Sequence, residues 1–453
     1  MRGRGAAAIA MVLATACTLV SHVDVCERRG PAERDLNARP EGDQTLSPSN
    51  AIVALPAGGA FVAWTSTTEA GSVIRGALVN ADGLLLPTCA ADAEHPYSAR
   101  EEQAASPALG APTANDELAL LVYRRRAAAG GYEIVGVPLT PGGCPPSISP
   151  RPFVIASGPA ISNPRPLALG GAEQVVTWTT LEASGRAHLL GRRFRLRLGA
   201  DPIPRPTVNG PDGEAVDLVT PPAANGVLAR LDDGAIALAW LEPETAGFRV
   251  RAAVLEQDLR VRAGPVVIDD LSLPSGLIPE EVSIAIAFDG EQLLTSWMAG
   301  NDRNEPRVWA AFLTPSLQPL RAERSPEGEP FRLGSIDVAG ETEVALARVA
   351  GGGFVAAWQE SGTTAHEDRS GRGLRALALG QDGRVRFANR ACDATDFPLN
   401  LAFESDQTLP ALATLADETI LAAWVTAGGQ TADRSGTGLR VVSLRPRDLF
   451  AIR

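Results

Sequence analysis

The segment Gly58-Gly59-Ala60-Phe61-Val62-Ala63-Trp64 is a glycine turn followed by an apolar run that ends in an aromatic residue. Six further runs of this kind follow a Gly-rich or acidic turn. They are Leu120-Leu121-Val122-Tyr123, Val175-Val176-Thr177-Trp178, Ala237-Leu238-Ala239-Trp240, Leu294-Thr295-Ser296-Trp297, Val355-Ala356-Ala357-Trp358 and Leu421-Ala422-Ala423-Trp424. The aromatic residue recurs about every 60 residues, and an internal repeat that holds only strand-like runs is typical of a closed β array.

Each repeat predicts four antiparallel strands. A short apolar strand precedes a turn such as Asp289-Gly290, and the aromatic-ended strand comes next. A third strand, for example Arg249–Val254, and a weaker fourth strand complete the unit. The second strand is apolar at consecutive positions, which indicates that neighbouring sheets cover both of its faces. We therefore predict an all-β fold, a seven-bladed β-propeller in which each repeated Trp packs between blades and is not a ligand platform.

The predicted propeller domain covers residues 33–453, after a signal peptide (1–16) and a linker (17–32). Its blades are predicted at 47–104, 105–160, 161–219, 220–277, 278–338, 339–405 and 406–453 together with 33–46. The last repeat ends too early for a fourth strand, so the segment 33–45 is expected to supply the outermost strand of blade 7. Because an open ring leaves sheet edges and faces unpaired, deleting 31–46 is expected to lower the melting temperature sharply.

The N-terminus has the features of an export signal. Arg2 and Arg4 precede an apolar segment, Gly5–Leu13, which is too short to span a bilayer. Ala14-Thr15-Ala16 then fits a cleavage site before Cys17 and resembles a bacterial lipobox, although Ala14 stands where leucine is preferred. We favour an outer-envelope lipoprotein with lipid on Cys17, with plain secretion as the alternative.

Four cysteines remain for disulfides in an exported chain, namely Cys26, Cys89, Cys144 and Cys392. Three connectivities are possible. Cys89 and Cys144 follow the third strands of adjacent blades, and Cys26 enters beside blade 7, next to Cys392 of blade 6. We therefore predict the pairs Cys89–Cys144 and Cys26–Cys392, with reduced cysteines as the alternative.

The loops between second and third strands carry the candidate binding residues. Three consecutive blades place an Asp-Arg pair there, and one of these loops also holds a histidine. The candidate rim comprises Asp302, Arg303, His366, Asp368, Arg369, Asp433 and Arg434. Such a rim suits an acidic or sugar-like group, or a Ca²⁺ ion; the alternative, which we favour, is a solvated hairpin loop copied by repeat duplication.

Composition and missing motifs exclude several functions. The net charge is −12, which argues against nucleic acid or an anionic membrane surface as a partner. The sequence has no lysine, hence no P-loop and no Schiff-base chemistry. It has no Gly-x-Ser-x-Gly, no His-Glu-x-x-His and no Cys/His spacing for zinc. No catalytic residue, metal ligand or cofactor is assigned, and Ca²⁺ at the rim is the one open metal.

The repeat resembles the Gly-Gly-Phe-Val-x-x-Trp propeller units of exported bacterial proteins of unknown function, most clearly at Gly58–Trp64 and Gly352–Trp358. This resemblance spans about residues 47–453 and implies the fold only. The sequence thus favours a monomeric, non-enzymatic binding or scaffold propeller. It would bind a protein or glycan on its loop face and touch a membrane only through the N-terminal lipid. The alternative is an extracellular glycan hydrolase or lyase with acidic residues at the channel mouth, which would need two acids, or a histidine and an acid, close together.

Overall fold

The computed structural model describes residues 33–36, 42–47, 50–56, 58–87, 95–99, 102–111, 118–140, 152–196, 214–244, 247–269, 282–300, 306–334, 340–361, 372–386, 396–399, 406–427 and 436–445. These residues form seven antiparallel sheets. No helix among them is long and apolar enough to cross a membrane.

The described residues form thirty strands. They are β1 (Arg34–Asp35), β2 (Asp43–Thr45), β3 (Ile52–Ala54), β4 (Ala60–Thr68), β5 (Gly71–Val79), β6 (Leu85–Leu86), β7 (His95–Pro96), β8 (Ala105–Gly110), β9 (Ala119–Arg126), β10 (Tyr132–Leu139), β11 (Phe153–Gly158), β12 (Ile161–Gly170), β13 (Glu173–Leu181), β14 (Ala187–Arg195), β15 (Val216–Asp217), β16 (Ala224–Arg230), β17 (Ile236–Glu244), β18 (Gly247–Leu255), β19 (Val261–Asp269), β20 (Ile284–Phe288), β21 (Leu293–Gly300), β22 (Pro306–Leu313), β23 (Phe331–Arg332), β24 (Glu341–Arg348), β25 (Phe354–Ser361), β26 (Arg372–Leu379), β27 (Phe397–Pro398), β28 (Gln407–Thr414), β29 (Ile420–Ala427) and β30 (Thr437–Leu444).

Each sheet is one blade of a seven-bladed β-propeller, as the repeats predict. Blade 1 holds β2 to β7, blades 2 to 6 take four strands each from β8 to β27, and blade 7 joins β28, β29 and β30 to β1. The first strands of successive blades contact one another around the ring, β8 with β12, β12 with β16 and onward to β28 with β3. These strands therefore surround the central axis.

The second strand of each blade is the core of the molecule. In β4 the first seven residues are buried, and β17 and β25 each begin with six buried residues. The repeated aromatic residues are all at most 2% exposed. Trp358 packs in a cluster shared by blades 5 and 6, and Trp424 in one shared by blades 6 and 7. The prediction that these aromatics pack between blades is confirmed, and it explains why the sequence lacks alternation in these strands.

The two chain ends close the ring, as predicted, but with a different division of the N-terminal segment. Arg34 and Asp35 pair with Val441 and Arg440, which makes β1 the outermost strand of blade 7. The segment 43–45 does not belong to that strand. It pairs with Thr65–Thr67 of β4 as part of the inner strand of blade 1, and β3 pairs with the preceding residues of β4, Ala60–Val62.

Candidate functional site

The inner strands share a bulge near their first residues. In blades 2, 3, 4, 6 and 7 the pairing of the first strand with the second shifts register at this point. The bulge residue in each blade is a non-glycine residue with φ between 50° and 54°. These five residues, called the bulge ring below, are Ser106, Asn163, Asn225, Glu343 and Leu409. The left-handed region is costly for residues other than Gly and Asn, so strain recurs at one level of the propeller and marks this level as a site candidate.

The bulge ring lines a cavity on the propeller axis. The cavity has a volume of about 410 Å³, and residues from all seven blades form its wall. Hydroxyl groups dominate the wall on one side, from Thr45, Ser47, Thr65, Thr67 and Ser106. The cavity lies at the end of the propeller where the first strand of each blade begins and the second strand ends. We call this end the channel-mouth face.

Two charged side chains meet in this cavity. Glu343 comes from the bulge of β24, and Arg165 follows the bulge of β12 on another blade. Burial raises the pKa of Glu343 to about 7, and the charge of Arg165 opposes this rise. Burial likewise lowers the pKa of Arg165 to about 10, while the charge of Glu343 supports its protonated form. Since the ordinary pKa of a glutamic acid is 4.5, Glu343 is suited to exchange a proton near neutral pH.

Neighbouring blades hold the bulges in place. Ser283 of blade 5 accepts a hydrogen bond from the backbone N–H of Val344 at 2.9 Å, next to Glu343. Thr179 of blade 3 accepts one from the N–H of Asn225 at 2.9 Å. The side-chain Nδ2 of Asn225 donates to the carbonyl of Val282 at 2.5 Å, so its Oδ1 has a fixed direction. The functional side chains are thus preorganised by contacts that cross from blade to blade.

A second carboxyl with a similar pKa lies away from the cavity. Burial raises the pKa of Glu360 on β25 to about 7, against the charge of Arg375. Arg375 also pairs with Asp396. Across the strand pair, Glu341 is fully buried, and it accepts hydrogen bonds from Arg332 at 3.0 Å and from the N–H of Val308 at 3.0 Å. Glu341 thereby joins blade 6 to blade 5 and is a structural carboxylate.

The predicted rim residues Asp302, Arg303, His366, Asp368, Arg369, Asp433 and Arg434 lie outside the described residues, and so do Cys17, Cys26, Cys89, Cys144 and Cys392. The strands on either side of the rim segments do meet on the channel-mouth face, where Gly300 pairs with Pro306, Ser361 with Arg372 and Ala427 with Thr437. Within the part of the chain that the structure describes, no three His, Cys, Asp or Glu side chains cluster as a metal site would require.

Sequence reasoning missed Glu343, Arg165, Asn163 and Asn225. A signal existed in four blades, where Pro or Gly follows the bulge residue in Ser106-Pro107, Asn163-Pro164, Asn225-Gly226 and Leu409-Pro410. Within a sheet, proline is confined to edge strands and bulges, so these dipeptides mark the bulge in an inner edge strand.

The structure also places His188 between two carboxylates on the channel-mouth face. Its Nδ1 lies 3.0 Å from Asp217 and its Nε2 2.8 Å from Glu182. The hydrogen bond with Asp217 contributes most to raising the pKa of His188, the bond with Glu182 adds to it, and burial opposes both. The charged imidazole therefore ties the loop after β13 to β15.

This clamp predicts a pH-dependent stability. Because the folded pKa of His188 lies above the unfolded value of 6.5, the stabilisation is complete below 6.5 and is lost as pH rises through the folded pKa. We expect His188→Gln to lower the melting temperature at pH 6 more than at pH 9, measured by calorimetry. Asp233→Asn, which breaks an exposed ion pair with Arg262, is the control. Its effect on the melting temperature should be the same at pH 6 and at pH 9. An equal loss at both pH values for His188→Gln would contradict the clamp.

Comparisons with known proteins support the fold. No protein-family model and no curated protein matches the chain. Among solved structures, the polysaccharide lyase Uly1 is similar with a TM-score of 0.50 and 10% identity, over 88% of this chain and 91% of the lyase. A protein of unknown function from Dyadobacter fermentans has a TM-score of 0.42 and 12% identity, over 91% and 99% of the two chains. A GH43_1 enzyme from Xanthomonas citri has a TM-score of 0.34 and 11% identity, over 64% and 92%.

These comparisons overturn one prediction from the sequence. The polysaccharide lyase is the reported structure whose TM-score reaches 0.50, and it contradicts the prediction of a non-enzymatic binding or scaffold propeller; the alternative, a glycan hydrolase or lyase, agrees better with it. At 10% identity the similarity to the lyase establishes the propeller fold alone.

Proposed function

We propose that this protein is a glycan-processing enzyme, a hydrolase or lyase, whose substrate binds at the channel-mouth face and whose proton-transfer group is Glu343. The observation that carries this proposal is a carboxyl group with a pKa of about 7 in an axial cavity beside a buried guanidinium. A general acid or base works best when its pKa lies near the pH of the reaction, and Glu343 meets that condition.

The cavity wall suits a sugar. Hydroxyl and amide groups from blades 1 to 5 converge on it, and a sugar ring offers hydroxyl groups that both donate and accept hydrogen bonds. Val282, Leu46 and Leu409 add small apolar surfaces beside these groups. A few oriented polar groups on a rigid concave surface are the usual composition of a small-ligand site.

A polysaccharide panel tests the proposal. The purified full-length protein is incubated with neutral and acidic polysaccharides, and chain length is followed by size-exclusion chromatography together with the release of reducing ends. We expect at least one polymer to be shortened, and Glu343→Gln to remove that activity. If polymers are bound but none is shortened, or if the variant is as active as the wild type, the proposal fails.

The remaining predictions from the sequence fit this function. We propose an exported monomer, held at the outer envelope through Cys17 or released, because polymeric glycans are encountered outside the cytoplasm. The mass of the mature N-terminal peptide tests the lipid: a fragment beginning at Cys17 without added acyl chains would contradict it.

A further inference from the structure

Arg165 is the sole cation in the described wall of the cavity. It is 7% exposed, on β12 immediately after the bulge at Asn163 and Pro164. Keeping a guanidinium in such a place is costly, and the lowered pKa of Arg165 records that cost. Glu343 is a charged neighbour of Arg165 in the cavity, and a guanidinium has five N–H donors, so it can bind the carboxylate of a ligand as well through paired, charge-assisted hydrogen bonds.

Two amides beside the charged pair have unused hydrogen-bonding atoms. The Nδ2 of Asn163 and the Oδ1 of Asn225 are buried, and neither has a partner among the described residues. Asn225 is 4% exposed, and its own Nδ2 is already bound to Val282, so the amide cannot turn to satisfy its oxygen. A buried polar atom without a partner is costly, and here a bound ligand can supply the partner. Asn163 presents a donor next to Arg165, and Asn225 presents an acceptor.

The carboxylates in the site are as informative as the cation. Glu343 is the single carboxylate in the wall of the cavity as far as the structure describes it. Hydrolysis of a glycosidic bond ordinarily uses two carboxyl groups on either side of the bond. Cleavage by elimination from a uronic acid needs one base for the carbon-bound proton and a cationic or hydrogen-bonding group that holds the sugar's carboxylate. Glu343, Arg165 and the two amides match the groups that elimination requires.

We propose that the substrate is a uronate-containing glycan, that Arg165 and Asn163 hold the carboxylate of the uronate, and that the polymer is cleaved by β-elimination. This inference rests on the proposed function and narrows it. Ionised Glu343 removes the proton from C5 of the uronate, whose acidity increases when Arg165 neutralises the adjacent carboxylate. The electron pair of the C5–H bond forms the C4–C5 double bond as the bond from C4 to the leaving oxygen breaks.

The step balances without a co-reactant. The leaving oxygen takes up a proton, delivered by the carboxyl of Glu343 or by solvent, and Glu343 returns to its ionised form. No water is consumed and nothing is oxidised or reduced. One chain becomes two, one of which begins with an unsaturated uronate that absorbs ultraviolet light.

The test uses the full-length protein on a polymer of galacturonate, a polymer of glucuronate, and a copolymer of mannuronate and guluronate. Each polymer is compared with a copy whose carboxyl groups are reduced to alcohols. We expect at least one polyuronate to be cleaved with a rise in ultraviolet absorbance, and no cleavage of its reduced copy. Arg165→Gln is expected to lower kcat/KM on that polymer by about 10²-fold or more, the usual cost of losing one stabilising donor. Arg251→Gln, which breaks an ion pair with Glu242 on blade 4, is the control and retains activity.

A second pair of variants keeps the test valid if Arg165→Gln fails to fold. Asn163→Asp places a negative charge beside the bound carboxylate, so it should lose more activity than Asn163→Gly, which tolerates the left-handed backbone of this position. Equal losses for the two variants, or equal cleavage of the reduced polymer, would overturn the inference. Release of reducing ends from a neutral glycan without ultraviolet absorbance would overturn it while leaving the proposed function intact. Failure to cleave any polysaccharide would remove both.

Discussion

Replacing Glu343 with glutamine should reduce kcat on the glycan substrate by about 10²- to 10⁴-fold, the usual contribution of a positioned acid or base. The amide keeps the shape of the side chain but cannot exchange the proton. The rate of the wild type should rise with pH through the pKa of Glu343, about 7, because the ionised form removes the proton. This limb of the pH–rate profile should be absent from the residual activity of the variant.

Glu343→Gln lowers activity, but the same substitution should stabilise the folded protein relative to the wild type as pH rises. Burial raises the folded pKa of Glu343 above its ordinary value of 4.5, so protonation favours the folded state. The stabilisation from protonation is complete below 4.5 and is lost as pH rises through about 7. Glutamine stays neutral at every pH, so the melting temperature of the variant relative to the wild type should increase as pH rises across this range. Calorimetry at a series of pH values measures this trend.

Glu360→Gln is the matched control for both measurements. Glu360 lies on the same blade and burial raises its pKa to the same value of about 7, but its side chain is near Arg375 and it is not part of the cavity wall. The change in stability with pH should therefore resemble that of Glu343→Gln, whereas kcat should stay within about twofold of the wild type, as expected for a group absent from the transition state. Similar losses of activity in the two variants would show that the effect is structural and that Glu343 is not the proton-transfer group.

Most of the fold could be predicted because it depends on short-range patterns that repeat. The apolar run that ends at Trp64 or Trp358, and the glycine turn before it, have the same physical cause in every blade. The inner strand of blade 1 could not be read in this way. Asp43-Gln44-Thr45 is polar, and six residues of the sequence separate it from Ile52, so its pairing with β4 is set by the ring and not by a local pattern. For this reason the sequence predicts the whole N-terminal segment in blade 7.

The site was less predictable than the fold for a similar reason. Glu341-Thr342-Glu343 has the composition of a solvated strand end, and nothing local shows that Glu341 is buried against blade 5 while Glu343 faces the axis. The bulge between Thr342 and Val344 turns the two side chains to different surroundings. Arg165 and Glu343 are distant in the sequence and meet because the blades form a ring. Such a pairing depends on tertiary geometry, which the repeat pattern does not encode.

Removing residues 33–36 should lower the free energy of unfolding more than any single substitution outside the core. A chain that begins at residue 33 keeps β1, whereas one that begins at residue 37 lacks it; all else is the same. The shorter chain loses Leu36, which is fully buried in the cluster between blades 7 and 1, and leaves Arg440 without Glu33, 2.9 Å away in the complete chain. Losing a buried leucine costs about 2–5 kcal/mol and breaking a buried ion pair about 3–5 kcal/mol, so we expect a total of about 5 kcal/mol or more.

A second contact at the same junction determines how the truncated chain should behave. Thr437 of β30 accepts a hydrogen bond from the N–H of Gln44 at 2.6 Å and donates one to its carbonyl at 2.8 Å, so β2 still joins blade 1 to blade 7 when β1 is absent. Thr437→Val should therefore cost little in the longer chain and substantially more in the shorter one, because there the exposed ion pair between Arg445 and Asp82 is what remains of the described side-chain links between blades 7 and 1. This double-mutant comparison, measured by urea unfolding, isolates the coupling between the two contacts. Additive effects would mean that the two contacts are not coupled. Equal stability of the chains that begin at residues 33 and 37 would mean that β1 adds nothing to closure of the ring.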